Sequence, residues 1–211
     1  MKDKIKTYLR KTRLYRPLRA AKGYAALGAE LLRPDRPDGS ATWLYKIFTI
    51  RNYARELGLK VFIETGTNVG DTLDGVRPAF KELHSVELDD DLYKKASERF
   101  RKYPNITIHH GTSDTFLKEF VPRLTVPVLY WLDAHYSGHG TARAGEDSPI
   151  VAELQICLNH WKEGSAILID DARLFDGKHA SYPTVAEVEA IATEKNPKLH
   201  CVMKRGIIRI H

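Results

Sequence analysis

From Lys60 onward, short apolar runs alternate along the chain with stretches whose apolar residues recur every three or four positions. The short runs read as strands at 61–65, 84–88, 106–109, 126–132 and 166–170. Between them, amphipathic spacing predicts helices over 72–83, 90–101, 113–120, 149–161 and 184–194. Strands that alternate with helices imply right-handed crossovers and a parallel sheet covered on both faces. The end of the chain departs from that rhythm. Two β-rich runs, 199–204 and 207–211, are joined by Arg205-Gly206, the pattern of an antiparallel hairpin. The predicted fold is α/β and Rossmann-like: a mostly parallel, seven-stranded sheet closed by a C-terminal antiparallel hairpin.

The first part of the chain follows a different pattern. Ile5, Tyr8, Leu9, Leu14, Leu18, Ala21, Ala25 and Leu32 recur at helical spacing with basic residues between them, and Pro17 interrupts the helix by withholding an amide donor. Residues 33–40 form a turn-rich linker. A further helix over 42–57 has Leu44, Ile47, Phe48, Arg51, Ala54 and Leu57 outlining a face, with Gly58 placed to end it. This divides the chain into a basic helical N-terminal extension, 1–38, and one α/β domain, 39–211.

Composition narrows the classes. With 211 residues, 43% of them apolar and 28% charged, the chain can bury an ordinary core and is not generally disordered. No apolar run approaches the roughly 18 residues of a membrane span. The opening Met1-Lys2-Asp3-Lys4-Ile5-Lys6 lacks the apolar segment of a secretory signal, so a cytoplasmic location is expected. Cys157 and Cys201 lie far apart in apolar contexts and read as buried small hydrophobes rather than a disulfide or metal pair. The net charge of +6 is uneven: Lys2, Lys4, Lys6, Arg10, Lys11, Arg13, Arg16, Arg19 and Lys22 face only Asp3. Such a helix is a solvated face, a peripheral contact with anionic lipid, or a homodimer interface. No aromatic ladder or nucleic-acid module accompanies the charge, so a nucleic-acid partner is not favoured.

In an open α/β sheet, ligands bind beyond the carboxyl ends of the strands, where strand order reverses. The residues there carry the chemistry. After the first strand comes Glu64-Thr65-Gly66-Thr67-Asn68-Val69-Gly70, whose Gly-x-x-x-Gly spacing differs from the Gly-x-Gly-x-x-Gly that cradles a pyrophosphate. A phosphate-free ligand such as S-adenosylmethionine needs close backbone approach and a carboxylate near its ammonium, a role open to Glu64. The second strand ends in Glu87-Leu88, about 20 residues beyond the turn, the distance at which an acid meets a ribose diol; the alternative is a capping acid. The third strand runs into Gly111-Thr112-Ser113-Asp114, where Ser113 or Asp114 can bond an adenine amine or Ser113 can cap the next helix. The fourth ends in Asp133-Ala134-His135-Tyr136-Ser137-Gly138-His139, and the fifth in Asp170-Asp171-Ala172-Arg173. Asp133, Asp170 and Asp171 converging at one place suit Mg²⁺, which would acidify a bound hydroxyl; alternatively one carboxylate orients substrate and the others cap the loop without metal. The glycine-bearing segment 136–148 reads as a substrate lid.

At these residues the chain resembles class I S-adenosylmethionine (SAM)-dependent methyltransferases, specifically a bacterial group related to the macrocin-type sugar O-methyltransferases. The resemblance spans about Lys60 to His211 and rests on Glu64-Thr65-Gly66-Thr67 with Gly70, on Glu87, on Trp131-Leu132-Asp133-Ala134-His135-Tyr136-Ser137-Gly138, and on Leu168-Ile169-Asp170-Asp171-Ala172-Arg173. It implies SAM as cofactor, held by Glu64, Thr65, Gly66, Thr67, Gly70, Glu87, Leu88, Gly111, Ser113 and Asp133. It also implies Mg²⁺ on Asp133, Asp170 and Asp171, with a saccharide or other small-molecule acceptor. The catalytic expectation is Asp133 with His135 or His139 as the base that removes the hydroxyl proton. Thr112 and His139 depart from the group's pattern, standing where an acid and a glycine are usual. Three other readings compete: a metal-independent methyltransferase, a non-catalytic SAM-fold module that binds a partner, and a metal-dependent hydrolase using the three aspartates. The last leaves the glycine turn and Glu87 without a purpose.

Overall fold

The computed structural model describes residues 40–133 and 149–211, with isolated helical positions between 25 and 32. The extension 1–38 is thus almost wholly outside the described residues, and so is the segment 134–148 with His135 and His139.

Seven strands form one sheet in the order β3-β2-β1-β4-β5-β7-β6. They are β1 Val61–Thr65, β2 Glu82–Glu87, β3 Ile106–His110, β4 Val128–Leu132, β5 Ala166–Ile169, β6 Cys201–Lys204 and β7 Ile207–Ile210. The first five pair in parallel, while β7 runs antiparallel to both β5 and β6. This is the Rossmann-like sheet with a terminal hairpin that the pattern predicts. Order reverses between β1 and β4, the position at which an open α/β sheet leaves a crevice at the carboxyl ends of its strands.

Within residues 40–133 and 149–211, six α-helices cover the sheet: α1 Trp43–Glu56, α2 Asp71–Val76, α3 Asp90–Phe100, α4 Ser113–Phe120, α5 Ile150–Asn159 and α6 Val185–Lys195. Strand side chains alternate between two cores. On one face Phe62, Leu129, Trp131, Leu168 and Ile207 meet Ile47, Ile50 and Ala54 of α1, Leu73 and Val76 of α2, and Phe100 of α3. On the other, Val61, Ile63, Tyr130, Leu132, Ile167 and Ile169 meet Leu117, Leu154, Cys157, Val188 and Ala192 of α4–α6.

Where the elements differ from the pattern, proline explains two cases. The helix expected over 72–83 stops at Val76, because Pro78 cannot donate to the ladder; a 3-10 turn, Arg77–Ala79, follows, and β2 starts at Glu82. Likewise β4 begins only at Val128, just after Pro127. The fifth strand ends at Ile169, although the Asp170 amide still donates to the Leu132 carbonyl at 3.0 Å. Thr42 caps α1, accepting from the Tyr45 amide at 3.2 Å, and Gly58 at φ +69° follows its last turn.

The buried face of α1 is rotated from the expected one. Tyr45, Ile47, Ile50 and Ala54 are buried, whereas Arg51 and Leu57 are exposed. Both cysteines are free thiols, Cys157 fully buried and Cys201 only half-buried on β6. No helix among the described residues is long and apolar enough to cross a membrane.

Candidate functional site

The turn after β1 is a compact backbone knot. Gly66, Asn68 and Gly70 all have positive φ, at 84°, 51° and 78°. The amides of Gly66 and Thr67 both donate to the Val86 carbonyl at 3.1 Å, and the Gly70 amide donates to the Thr67 carbonyl at 2.9 Å. Gly70 is required for two reasons: its backbone is left-handed, and a Cβ there would lie 2.3 Å from the Phe100 ring.

Two acids brace this knot. Glu87 accepts the Asn68 amide at 2.6 Å on one oxygen and the Asp89 amide at 2.9 Å on the other. A carboxylate offers about four acceptor positions, so each oxygen retains capacity for a hydroxyl donor. Glu64 is enclosed at 1% exposure and accepts from Ser85 Oγ at 2.7 Å; Ser85 Oγ lies 2.6 Å from Thr67 Oγ1. Burial, with the nearby charges of Asp133 and Glu87, pushes its carboxyl well above the usual range. Glu64 therefore supports the turn from beneath.

Leu88 is half-buried beside Glu87. Gly111 follows β3 at φ +143°, its amide bonded to the Glu87 carbonyl at 3.0 Å and the space where a side chain would be open. Thr112, not Ser113, is the N-cap of α4, and Asp114 turns outward to Lys118 at 2.9 Å. The glycine turn, Glu87-Leu88 and Gly111-Ser113 thus lie along the carboxyl edge of neighbouring strands β1, β2 and β3. His84 and His109, 3.0 Å apart, pack with Phe120, and His110 stacks on Tyr93. All three act as packing or strand-end residues.

On the other side of the switch point, the Asp133 amide bonds the Thr65 carbonyl at 3.3 Å and Thr65 Oγ1 at 3.2 Å, tying the end of β4 to β1. Asp133, Asp170 and Asp171 line one shallow cleft together with Leu132, Ile150, Ile169, Phe175 and Tyr182. The three predicted acids therefore come together, but each already has a donor. Asp170 accepts the Asp171 amide at 2.8 Å on one oxygen and forms an ion pair with Lys46 on the other. Asp133 faces the Trp131 indole N–H at 3.4 Å, and Asp171 faces Arg173 at 3.4 Å. Among the described residues no group of three or more His, Cys, Asp and Glu side chains is arranged to hold a metal ion. The expected Mg²⁺ does not fit this arrangement, because the Lys46 ammonium already stands against Asp170 as the cation of the cluster and opposes a second positive charge there.

Two residues of this region escape sequence reasoning. Lys46 on α1 is the first. Its side chain is only 22% exposed, and although burial works against its charge, Asp170 holds its pKa above the usual lysine value. The second is Glu153 on α5, fully buried behind Thr65, whose hydroxyl donates to it at 3.3 Å. Burial, reinforced by the charges of Asp114 and Asp133, raises its pKa to about 7 despite hydrogen bonds from Ser113 and Thr65. Asp170 is raised to about 7 by burial and by Asp133, with Lys46 pulling the other way. The signal for both is a single charged residue inside an apolar helical stripe: Lys46 between Tyr45 and Ile47, Glu153 between Ala152 and Leu154.

No family model matches the chain, and no curated protein does. Solved structures do. The Podospora anserina methyltransferase PaMTH1 with S-adenosylhomocysteine (SAH) superposes with a TM-score of 0.58 at 13% identity, covering 91% of this chain and 95% of its own. TomG, the O-methyltransferase of tomaymycin synthesis from Streptomyces achromogenes in complex with SAM, gives 0.58 at 14% identity over 88% and 93%. An O-methyltransferase from Bacillus cereus with SAH gives 0.60 at 12% identity over 90% and 89%. At these identities the likeness establishes a shared fold: the chain has the Rossmann-like architecture of these methyltransferases.

Proposed function

We propose that this protein is a SAM-dependent O-methyltransferase acting on a hydroxyl of a saccharide or similar small hydroxylated molecule. The observation that carries the reading is the placement of two different sites on either side of one switch point. On the β1–β3 side lie a glycine turn without a phosphate cradle and a strand-end acid, Glu87, whose oxygens are fixed by two backbone amides. On the β4–β5 side lies a carboxylate-lined cleft floored by Phe175 and Tyr182. The structures that share the fold include O-methyltransferases bound to SAM or SAH, which supports the same use here.

The chemistry follows from that placement. Methyl transfer from a sulfonium is an in-line displacement: the acceptor oxygen forms a bond to the methyl carbon, the sulfur–carbon bond breaks with its electrons returning to sulfur, and the hydroxyl proton must leave. The enzyme has to align the two centres, exclude water and accept that proton. Glu87 would hold the ribose diol through oxygens already fixed by two backbone amides. Asp133, anchored to β1 through Thr65, faces the boundary of both sites and is the carboxylate we assign to orient the acceptor hydroxyl. His135 and His139 remain the proposed bases in the segment that follows it. The apolar and aromatic side of the cleft, Ile150, Phe175 and Tyr182, suits the C–H face of a ring whose hydroxyls point at the acids.

Calorimetric titration of SAM into the full chain tests this reading. Saturable binding is expected for the wild type, with a loss of at least about tenfold, or 1.4 kcal/mol, for Glu87→Ala. Undiminished affinity in a folded Glu87→Ala variant would refute the ribose assignment. Absence of SAM binding by the wild type would remove the methyl-transfer reading altogether.

A further inference from the structure

Three carboxylates gathered at adjacent strand ends repel one another unless a positive charge lies among them. In this protein that charge is supplied from outside the strand–helix repeat. Helix α1 lies across the sheet face that holds Trp131 and Leu168. It approaches α2 so closely that a Cβ on Gly75 would lie 2.5 Å from Ile47 Cδ1 and 3.2 Å from the Trp43 ring. That approach sets Lys46, four residues before Ile50 on the buried side of the helix, over the end of β5. Its ammonium pairs with Asp170, a side chain only 2% exposed, and Asp133 and Asp171 also act on its charge. Arg209, pairing with Tyr45 at 3.0 Å, fastens the same helix turn to β7.

The two cations differ in what they demand. Mg²⁺ needs near-octahedral oxygen ligands at about 2.0–2.1 Å and retains several waters, whereas a lysine ammonium is a single charge with three donors on a covalent tether. With Lys46 on one Asp170 oxygen and the Asp171 amide on the other, a divalent ion bound to Asp170 would have to displace the ammonium or lie against it. We infer that Lys46 is the resident cation of the acceptor cleft, a positioning residue that takes the place of a divalent ion by neutralising and orienting Asp170. Its chemical meaning rests on the methyl-transfer reading, but its test does not. Asp170 is thereby neutralised by Lys46 and braced by the Asp171 amide, while Asp133 is the acid that the proposed function assigns to the acceptor hydroxyl.

The probe is Mn²⁺ alone, added to the full chain at neutral pH and followed by the paramagnetic resonance of the free ion. The wild type should show no saturable binding. Lys46→Met should acquire it, at least about tenfold tighter than any residual wild-type association. Lys46→Arg, which keeps the charge, should behave as the wild type, and Lys46→Met combined with Asp170→Asn should lose what the single variant gained. A lysine that only packs α1 would not produce this gain. Saturable binding by the wild type that Lys46→Met leaves within about twofold overturns the inference, as does a folded Lys46→Met that gains nothing. Should Lys46→Met fail to fold, the wild type and Lys46→Arg still decide, because saturable Mn²⁺ binding by either contradicts a resident cation. SAM titration of the same preparations is read separately: loss of SAM binding by the wild type defeats the proposed function and leaves the Mn²⁺ outcome intact.

Discussion

Glu153 offers a direct measure of the electrostatics beneath the site. Its carboxyl is fully buried, with Oε2 receiving the Thr65 hydroxyl at 3.3 Å and Oε1 without a hydrogen-bond partner. The folded pKa of about 7 lies above the ordinary glutamate value of 4.5 because burial penalises the charged form. In the unfolded chain the group titrates near 4.5, so between the two values the native state holds a proton that the unfolded state has released. Stability from this group is therefore complete below about pH 4.5 and declines as pH rises, until it is lost above about pH 7. A difference of that size corresponds to about 3 kcal/mol. Glu153→Gln removes the titration while keeping an acceptor for Thr65. It carries a roughly constant cost of about 1–3 kcal/mol for a buried amide donor that replaces the unpartnered oxygen. The informative quantity is thus the change of the difference with pH. Urea unfolding of both proteins at pH 4.5 to 8.5 should show Glu153→Gln gaining about 3 kcal/mol relative to wild type across that interval. Asp170 and Glu64 are raised in the same direction, but they titrate in both proteins and cancel. A difference that stays flat from pH 4.5 to 8.5 would refute the assignment of a shifted, buried carboxyl at this position.

Gly70→Ala should cost about 2–4 kcal/mol, combining a left-handed backbone with overpacking against the buried Phe100 ring, and should lower SAM affinity. Thermal unfolding checks it, and Gly111→Ala, strained but facing open space, should cost distinctly less. Thr184→Ala dismantles the capping box with Glu187 at the start of α6 and should lose about 1 kcal/mol in urea unfolding with no change in SAM titration. Gly75→Val forces Ile47 and Trp43 aside and should lift α1 from α2, so that this variant gains Mn²⁺ binding as Lys46→Met does. Unchanged metal behaviour in a folded Gly75→Val would show that the Lys46 contact does not depend on that close approach.

What the chain discloses by itself depends on how many residues share the information. The centre of the sheet is legible because burial of both faces imposes a near-continuous apolar run on β4 and β5 and on most of β1, as in Phe62-Ile63 or Leu129-Tyr130-Trp131-Leu132, and the turns between carry their own glycines and prolines. The glycine turn and Glu87 are legible for a related reason: the βαβ unit fixes their separation to about 20 residues, so the motif is local. The Asp cluster is legible only in part. That Asp133 and Asp170-Asp171 sit at adjacent strand ends follows from strand order, but which charge balances them does not, since the balancing group lies 124 positions from its partner. An acid pair in a sequence looks the same whether a metal or a lysine completes it. The distinguishing mark is weak and distributed: a lysine on the buried side of α1, and at position 75 a glycine inside α2 where helix propensity alone would disfavour it. The apolar spacing of α1 leads to Leu44, Ile47, Phe48, Arg51, Ala54 and Leu57 as its inner face, a set that passes by Lys46. Glu153 is passed by in turn, as a charged residue within an otherwise apolar helix. Both charges are buried because each meets a partner supplied by a distant strand end, Asp170 for Lys46 and Thr65 for Glu153. A charged residue that interrupts an apolar helical stripe in an α/β chain is therefore a pointer to the carboxyl edge of the sheet, where such partners are found, and in this protein both interruptions lead to the same crevice.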